Sequence, residues 1–419
     1  MKRVVVIGGG AAGLMAAKAA ADGGNDVTVV EKNSRPARKM MITGKGRCNV
    51  TNDADIKELV GAVTGNGRFL YSSFNMFSSA DTMRFFEENG VPLKVERGGR
   101  VFPCSDRAVD IVDALVGAAV KSGAKIICDR VTGIDIKEGA VKGVKTENNL
   151  RLPADAVIVA TGGMSYPATG STGDGYELAK KAGHNVTPIR PSLVPLTVLE
   201  GWCSSLQGLS LKNVTVSLYA EGEKKPLYSE LGEMMFTHFG LTGPEILSAS
   251  AYIDDPKTRK YYITIDMKPA LSAEKLDQRI MRDFAKYSNR DYINSLCDLL
   301  PKKMVPVVVG LSHIEPSQKV NQITREQRER IVSALKCLTL HITGTRPIDE
   351  AIVTKGGVEL TGVDPKTMQS KTVNGLYFAG EVLDIDGVTG GFNFQAAWTT
   401  AYTVARAIAE NAVQKQPVP

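Results

Sequence analysis

The chain runs to 419 residues, 43% hydrophobic and 23% charged, with a formal net charge of +6; that composition is ordinary for a soluble globular protein, and the length suits two or three domains at ~150 residues each. No run approaches the ~18 to 20 consecutive apolar residues of a spanning helix, and the opening MKRVVVIGGG lacks a signal-peptide layout, so a membrane or secreted chain is not expected and a cytoplasmic one is. The cysteines at 48, 104, 128, 203, 297 and 337 include no CxxC pair, so the expectation is a reduced protein without a metal site or dithiol motif.

The first elements are the clearest. KRVVVIGGGAAGLMAAKAAADGGNDVTVVEK reads as strand, glycine turn, helix, turn, strand. Val4 to Ile7 suits a buried parallel strand. Gly8, Gly10 and Gly13 then form GxGxxG between that strand and an alanine-rich helix. Gly8 makes the tight turn, Gly10 admits a pyrophosphate, and Gly13 lets helix and strand pack closely. The helix start, through Ala11 and Ala12, offers amide donors to phosphate. Glu31, closing the second strand, is placed to accept from a ribose diol. A dinucleotide is expected here, with NAD or FAD left open by these residues.

TGKGRCNVTN, residues 43 to 52, follows. A phosphate loop needs GxxxxGK[ST]; here Lys39 stands five residues before Gly44 and Gly46 follows Lys45, so that reading fails. The small residues instead suit a chain wrapped around the cofactor, with Arg38, Lys39 and Arg47 offsetting pyrophosphate charge. Asn49 and Asn52 can serve polar ring edges or turn amides. Cys48 is either a packed thiol or a general acid beside the cofactor, although neighbouring Arg47 would lower its pKa, which aids a thiolate rather than an acid.

ADAVIVATGG, residues 154 to 163, is a buried strand ending in small residues. NGLYFAGEVLDIDGVTGGFNFQAAWTTAYTVARAIAE, residues 374 to 410, is a strand, an acidic turn, a glycine-rich loop and a long helix. No second GxGxxG has strand and helix around it, TGSTGDG at 169 to 175 included, so a pyridine nucleotide would visit only transiently. Between these stretches PIRPSLVPL, residues 188 to 196, marks a boundary with three prolines. VTVSLYA and YYITIDM beyond it suit a small β-barrel or sandwich. Helices are expected from about Ala273 to Ser312 and over TREQRERIVSALKCL, where Thr324 is the N-cap. In GLTGPEIL, Pro244 opens a helix whose amides hold an anion, or else GxxGP is simply a turn. His238 before it is a proton donor or a structural histidine. Residues 254 to 346 hold 17 Lys+Arg and 11 Asp+Glu, an excess that suits an anionic partner such as RNA or a solvated helical face.

The mid-chain AxGG and the GLYFAGE near the end resemble large FAD enzymes of the glutathione-reductase and fumarate-reductase kind. GRCNVTN after KMMITGK, GEMMFTHFGLTGPEIL, AIVTKGGV and GGFNFQAAW, in that order, resemble the HI0933-type, YhiN-like flavoproteins, a match over nearly the whole chain. The resemblance implies an α/β fold: a Rossmann-like FAD-binding domain, 1–193 and 345–419, interrupted by a β-rich insert, 194–270 and 325–344, with a helical subdomain, 271–324. It implies FAD contacts from Gly8, Gly10, Ala11, Ala12, Gly13, Glu31, Lys32, Arg38, Lys39, Met40, Thr43, Gly44, Arg47, Cys48 and Asn49. Later contacts would come from Val131, Ala160, Thr161, Gly162, Gly380, Glu381, Gly391, Phe392 and Asn393.

Activities in such a family include reduction of enones, dihydrouridine formation in large-subunit ribosomal RNA and oxidation of small amines such as aminoacetone. The leading expectation is a reductase in which NAD(P)H is a transient electron donor, reduced flavin delivers hydride to an activated C=C bond, and Cys48 or His238 supplies the proton. A ribosomal RNA uridine, held by the basic insert, is the expected substrate. The alternatives are a small-amine oxidase and a flavin-bearing RNA-binding factor without turnover.

Overall fold

The structure, a computed structural model, describes residues 1–413; the last residues of the expected 345–419 segment lie outside it. The described chain divides into two units, one from Met1–Ser192 with the chain from Ile348 onward, the other Leu193–Pro347.

Five parallel strands form the centre of the first unit, in the order Leu376–Phe378, Ala156–Val159, Arg3–Ile7, Asp26–Glu31, Lys125–Cys128. Their central members are continuous Val/Ile runs because both faces are covered, so no polar alternation is needed. We call Arg3–Ile7 β1, the helix Ala11–Asp22 α1 and Asp26–Glu31 β2. Ala16, Ala17 and Ala20 of α1 are fully buried. Such small side chains suit close packing against the C-terminal helix, Phe392–Val413, which contributes Trp398, Ala401, Val404 and Ile408 to the same core. A glycine turn, a parallel strand on each side and a return from the distant C-terminal segment make this the expected Rossmann-type α/β fold.

The second unit is a closed six-stranded barrel. Its strands run Leu196–Val198, Gly240–Thr242, Tyr228–Phe236, Ser210–Ala220, Tyr261–Asp266 and Leu338–Thr345, the last pairing back onto the first. Strict alternation drives it: Tyr261, Ile263 and Ile265 are buried while Tyr262, Thr264 and Asp266 are partly exposed. Ala273–Lys286 and Arg325–Lys336 are the long helices beside it, and the Thr324 hydroxyl accepts from the Gln327 amide as its N-cap. The helical stretch expected to Ser312 is one helix to Lys286, then short 3₁₀ turns and a last helix, Val305–Leu311, with Pro306 in its first turn.

Candidate flavin site

The glycine turn shows which glycines are steric necessities. A Cβ on Gly13 would lie 1.8 Å from the Gly8 carbonyl oxygen, so α1 can seat on the turn only without one. Gly8 has φ +100°, and its Cβ would meet the Ala160 carbonyl at 2.7 Å. Gly10 differs: nothing lies within 4 Å of its Cβ position, and it precedes α1 without a side-chain cap. The first-turn amides of α1 therefore face an open approach, the arrangement that binds phosphate.

Glu31 is buried at the end of β2. It accepts from the Gly9 amide at 2.7 Å and from both the Asn33 amide and side chain, at 2.8 and 2.7 Å. It thus ties the strand end to the glycine turn, and a carboxylate's several lone pairs leave it able to accept from a diol as well. Lys32 and Arg130 both pair with Asp174 at 2.9 Å. Burial alone would raise that carboxyl, but hydrogen bonds from Arg130 and Lys32 hold it down to about 2. Beside them lies a cavity of about 510 Å³ lined in part by Lys32, Asn33, Asp129, Arg130, Pro167 and Gly170. Val131 is buried next to Arg130.

A second group gathers around Glu381. Lys39 Nζ donates to it at 2.9 Å and to Ser165 Oγ at 2.7 Å, and the Thr354 amide donates to it at 2.8 Å. Arg38 instead reaches Asn33 Oδ1 at 3.3 Å. Met40 is buried, and its carbonyl accepts from Thr43 Oγ1 at 2.8 Å. From there the backbone takes four left-handed residues, Gly44, Lys45, Gly46 and Cys48, with φ between +57° and +84°. The Cys48 amide closes this loop onto the Thr43 carbonyl at 3.1 Å.

Cys48 does not show the lowering expected from Arg47. It is fully buried, and burial pushes its thiol up to about 12, offset only partly by Thr43. Arg47 does not depress it, because its guanidinium is engaged by Glu96 at 2.8 Å and Asp106 at 3.3 Å and lies over the Phe102 ring. Next to Cys48, the buried Asn49 Oδ1 has no hydrogen-bond partner among the described residues, and neither has Thr161 Oγ1, beyond Ala160. Buried polar atoms of this kind are uncommon and call for a partner.

The Gly390–Gly391 turn leads into the C-terminal helix. A Cβ on Gly391 would lie 2.3 Å from the Thr51 carbonyl oxygen, so this turn is pressed against the segment following Cys48. Asn52 Nδ2 donates to Gly390 O at 2.9 Å. Asn393 clasps the chain before the helix, accepting from the Gly387 amide and donating to its carbonyl, both at 2.8 Å. Gly380, at φ +74°, donates its amide to Thr400 Oγ1 at 2.9 Å, and its Cβ would crowd Ala12 at 2.8 Å. Phe392 is the first residue of the helix.

Residues from four distant stretches therefore converge: Gly8 to Gly13 with Ala160, Lys39 with Glu381, Cys48 to Asn52 with Gly390 and Gly391, and Gly162 within 3.7 Å of Glu381 at its Cβ position. His238 belongs to the second unit, where it lies edge-on to Phe239. There Gly240–Thr242 is a barrel strand, Gly243 packs onto the Met234 backbone, and Pro244 opens the seven-residue helix Pro244–Ser250. In that unit Arg279, Lys286, Lys319, Arg325, Arg328 and Lys336 make ion pairs with carboxylates of the same segment, which leaves its positive excess in place. Gln395 and Thr354 were not singled out from sequence. For Gln395 the signal was available, a lone amide in phase with Trp398 and Tyr402 on the buried helix stripe.

The HI0933-like protein Rossmann domain family matches residues 2–407. A 3-dehydro-bile acid delta(4,6)-reductase of Clostridium scindens is 32% identical over 93% of this chain and 94% of its own. A ribosomal RNA dihydrouridine synthase of Haemophilus influenzae is 33% identical over 92% and 93%. In fold, the chain is similar to a 3-ketosteroid delta1-dehydrogenase from Sterolibacterium denitrificans, with a TM-score of 0.53 at 14% identity, over 98% of this chain and 99% of that one. Among the described residues no helix is long and apolar enough to cross a membrane. The chain belongs to the HI0933-like family of FAD-dependent oxidoreductases.

Proposed function

We propose that this protein reduces an activated C=C bond, that its substrate is a uridine of large-subunit ribosomal RNA, and that NAD(P)H is its transient electron donor. One observation carries the reading. Relatives that align over more than nine-tenths of both chains are named for reducing a bile acid at delta(4,6) and for making dihydrouridine. Both names describe saturating a C=C bond, and the uracil 5,6-bond is conjugated to a carbonyl.

The residues suit FAD. In this reading the open face above Gly10 and the first-turn amides at Ala11 and Ala12 take the pyrophosphate, while Gly8 and Gly13 keep the turn tight. Glu31 and Lys32 hold the adenosine end with Val131, Ala160, Thr161 and Gly162. Arg38, Lys39, Met40, Gly380 and Glu381 hold the middle. Thr43, Gly44, Cys48 and Asn49, with the backbone of Arg47, line the ring with Gly391, Phe392 and Asn393, and Asn49 Oδ1 gains a donor. Bound and reduced, FAD supplies hydride.

The chain's own contribution is orientation, charge and protons. The N-terminus of the 22-residue C-terminal helix carries partial positive charge, which favours an anionic neighbour. Cys48 keeps its proton at neutral pH because burial raises its pKa, so in this reading Sγ holds a proton and is not a thiolate; His238 is the second candidate donor. In the second unit the exposed Lys275, Arg282 and Lys302 remain to meet RNA phosphates.

The test is an anaerobic titration of the FAD-loaded protein with NADPH, then NADH, followed by addition of ribosomal RNA from a strain lacking the gene. Bleaching of the flavin band, its recovery on adding RNA, and a two-hydrogen mass gain at one uridine are expected. Recovery with a 3-oxo-4,6-diene steroid but not RNA would overturn the substrate assignment. A flavin unmoved by either nucleotide would overturn the donor.

A further inference from the structure

Residues 93–103 form a hairpin of Leu93–Glu96 and Arg100–Pro103, paired Lys94↔Phe102 and Glu96↔Arg100. Because side chains alternate across a strand, Lys94, Glu96, Arg100 and Phe102 share one face. Arg47 lies over that face, its guanidinium 4.0 Å from the Phe102 centroid with Arg100 at 6.0 Å. Glu96 sits between the two, 2.8 Å from Arg47 and 3.9 Å from Arg100. Asp106 bridges Lys94 at 2.7 Å and Arg47 at 3.3 Å. Arg97 is exposed at the tip, where its carbonyl accepts from Arg100 Nε at 3.0 Å. Three cations thus meet two carboxylates, and Arg97 and Lys45 add two exposed ones.

The patch is physically joined to the candidate flavin site. Arg100–Pro103 pairs with Thr51 and Asn52, directly after Cys48. Asn52 Nδ2 donates both to Gly98 O at the hairpin tip and to Gly390 O before the C-terminal helix, each at 2.9 Å. One side chain therefore fixes the tip of the cationic hairpin against the turn that opens that helix.

We propose that this face, presented by Lys94, Arg97 and Arg100 with Lys45 and Arg47, is a phosphate-contacting arm for single-stranded RNA on either side of the reacting uridine. The inference rests on the RNA reading above and adds a surface to it. Its chemistry favours a polyanion over a nucleotide. A pyrophosphate is normally cradled by backbone amides at a helix start, whereas these are long, half-exposed cations spread along a hairpin and kept apart by carboxylates. Such a field binds a backbone without reading its sequence. Glu96 and Asp106 engage the charged ends of Arg47, Lys94 and Arg100, each of which remains partly exposed.

The test compares the FAD-loaded protein with its Lys94→Ala/Arg97→Ala/Arg100→Ala variant, using a fluorescent oligouridylate across a potassium chloride series. Each phosphate contact contributes roughly −0.7 to the slope of log affinity against log salt for single strands. The variant is expected to flatten the slope by about 2 with its FAD absorbance unchanged, and Lys94→Arg/Arg97→Lys/Arg100→Lys to restore it. An unchanged slope, with binding kept, would overturn the arm and leave the RNA reading standing. No binding by the unmodified protein even at low salt would overturn both. A raised KM for NADPH at an unchanged RNA slope would overturn it in favour of a nucleotide-donor site.

Discussion

Gln395 and Thr51, 344 positions apart in the chain, are joined by a 2.6 Å hydrogen bond inside the core of the first unit. The amide of Gln395 is wholly buried, and all of its capacity is used. Its oxygen accepts from Thr51 and Thr82, and its nitrogen donates to Phe77 O and Thr399 Oγ1. The first turn of the C-terminal helix is thereby pinned to the segment that carries Cys48 and Asn49.

Replacing Gln395 with leucine keeps the volume but leaves the Thr51 and Thr82 hydroxyls only longer bonds, such as those to Ser79 Oγ at 3.5 Å and Ser78 O at 3.3 Å. An unsatisfied buried polar group costs about 1–3 kcal/mol, so Gln395→Leu is expected to lose an amount in that range, read by urea denaturation of the apoprotein. Gln395→Glu should lose more at neutral pH than at pH 5. Its ionised form keeps the Thr51 and Thr82 donors but faces the Phe77 carbonyl without a proton to give. Equal stability of both variants and the unmodified protein would sink this account.

The glycines of the turn separate folding from binding. Gly13→Ala drives a Cβ into the backbone oxygen of Gly8, which has no side chain to yield, so soluble expression or cooperative unfolding should be lost. Gly10 has φ −84°, comfortable for alanine, and open space at Cβ. Gly10→Ala should thus leave the apoprotein within about 0.5 kcal/mol, yet weaken FAD by at least a hundredfold if the pyrophosphate approaches there. Flavin fluorescence quenching reads the second quantity and calorimetry the first. Full FAD affinity in Gly10→Ala would move the cofactor elsewhere.

This contrast also shows where sequence was informative. GxGxxG between a valine strand and an alanine helix foretells both the fold and the close packing at Gly13, because those rules are local. The alternation of YYITID likewise makes a half-buried strand legible, though it leaves barrel and sandwich open, because closure depends on pairing Leu196–Val198 with the distant Leu338–Thr345. Side-chain engagement is not local. Arg47 adjoins Cys48 in sequence, which suggested a depressed thiol, but Glu96 and Asp106, far along the chain, take its charge. Likewise the positive excess of residues 254–346 is a sum over sequence, while the helices place Arg328 on Asp277 and Lys336 on Asp266. Net charge does not reveal such pairing.

Cys48 makes a chemical prediction. At pH 8 a thiol near 12 is ionised to only about one part in 10⁴, and the thiolate is the reactive form. Cys203 is buried and similarly raised, whereas Cys104, Cys128, Cys297 and Cys337 are exposed. Brief iodoacetamide treatment of the native protein should label those four and spare Cys48 and Cys203 until denaturant is added, as peptide mass spectrometry reads. Early labelling of Cys48 would contradict both its burial and its proposed role as a proton-holding group.

Asp386 is the clearest source of pH-dependent stability. Burial raises its carboxyl to about 6, with the Ser192 hydroxyl, donating at 2.7 Å, the Lys355 charge and Thr64 pulling it back and Asp384 pushing it up. Its folded value lies above the ordinary 3.8 of an unfolded aspartate, so the folded state binds the extra proton between the two. This contribution is therefore fully present below about pH 4 and is lost as pH rises through 6. At about 1.4 kcal/mol per unit the whole effect reaches at most about 3 kcal/mol. Asp386→Asn keeps an acceptor for Ser192 but removes the titration. The difference in unfolding free energy, unmodified protein minus variant, should fall between pH 4 and pH 6.5 and level off above. Taking the difference cancels carboxylates such as Asp174, whose depressed value gives the opposite slope at lower pH. A flat difference across that window would show that Asp386 stays ionised in the fold.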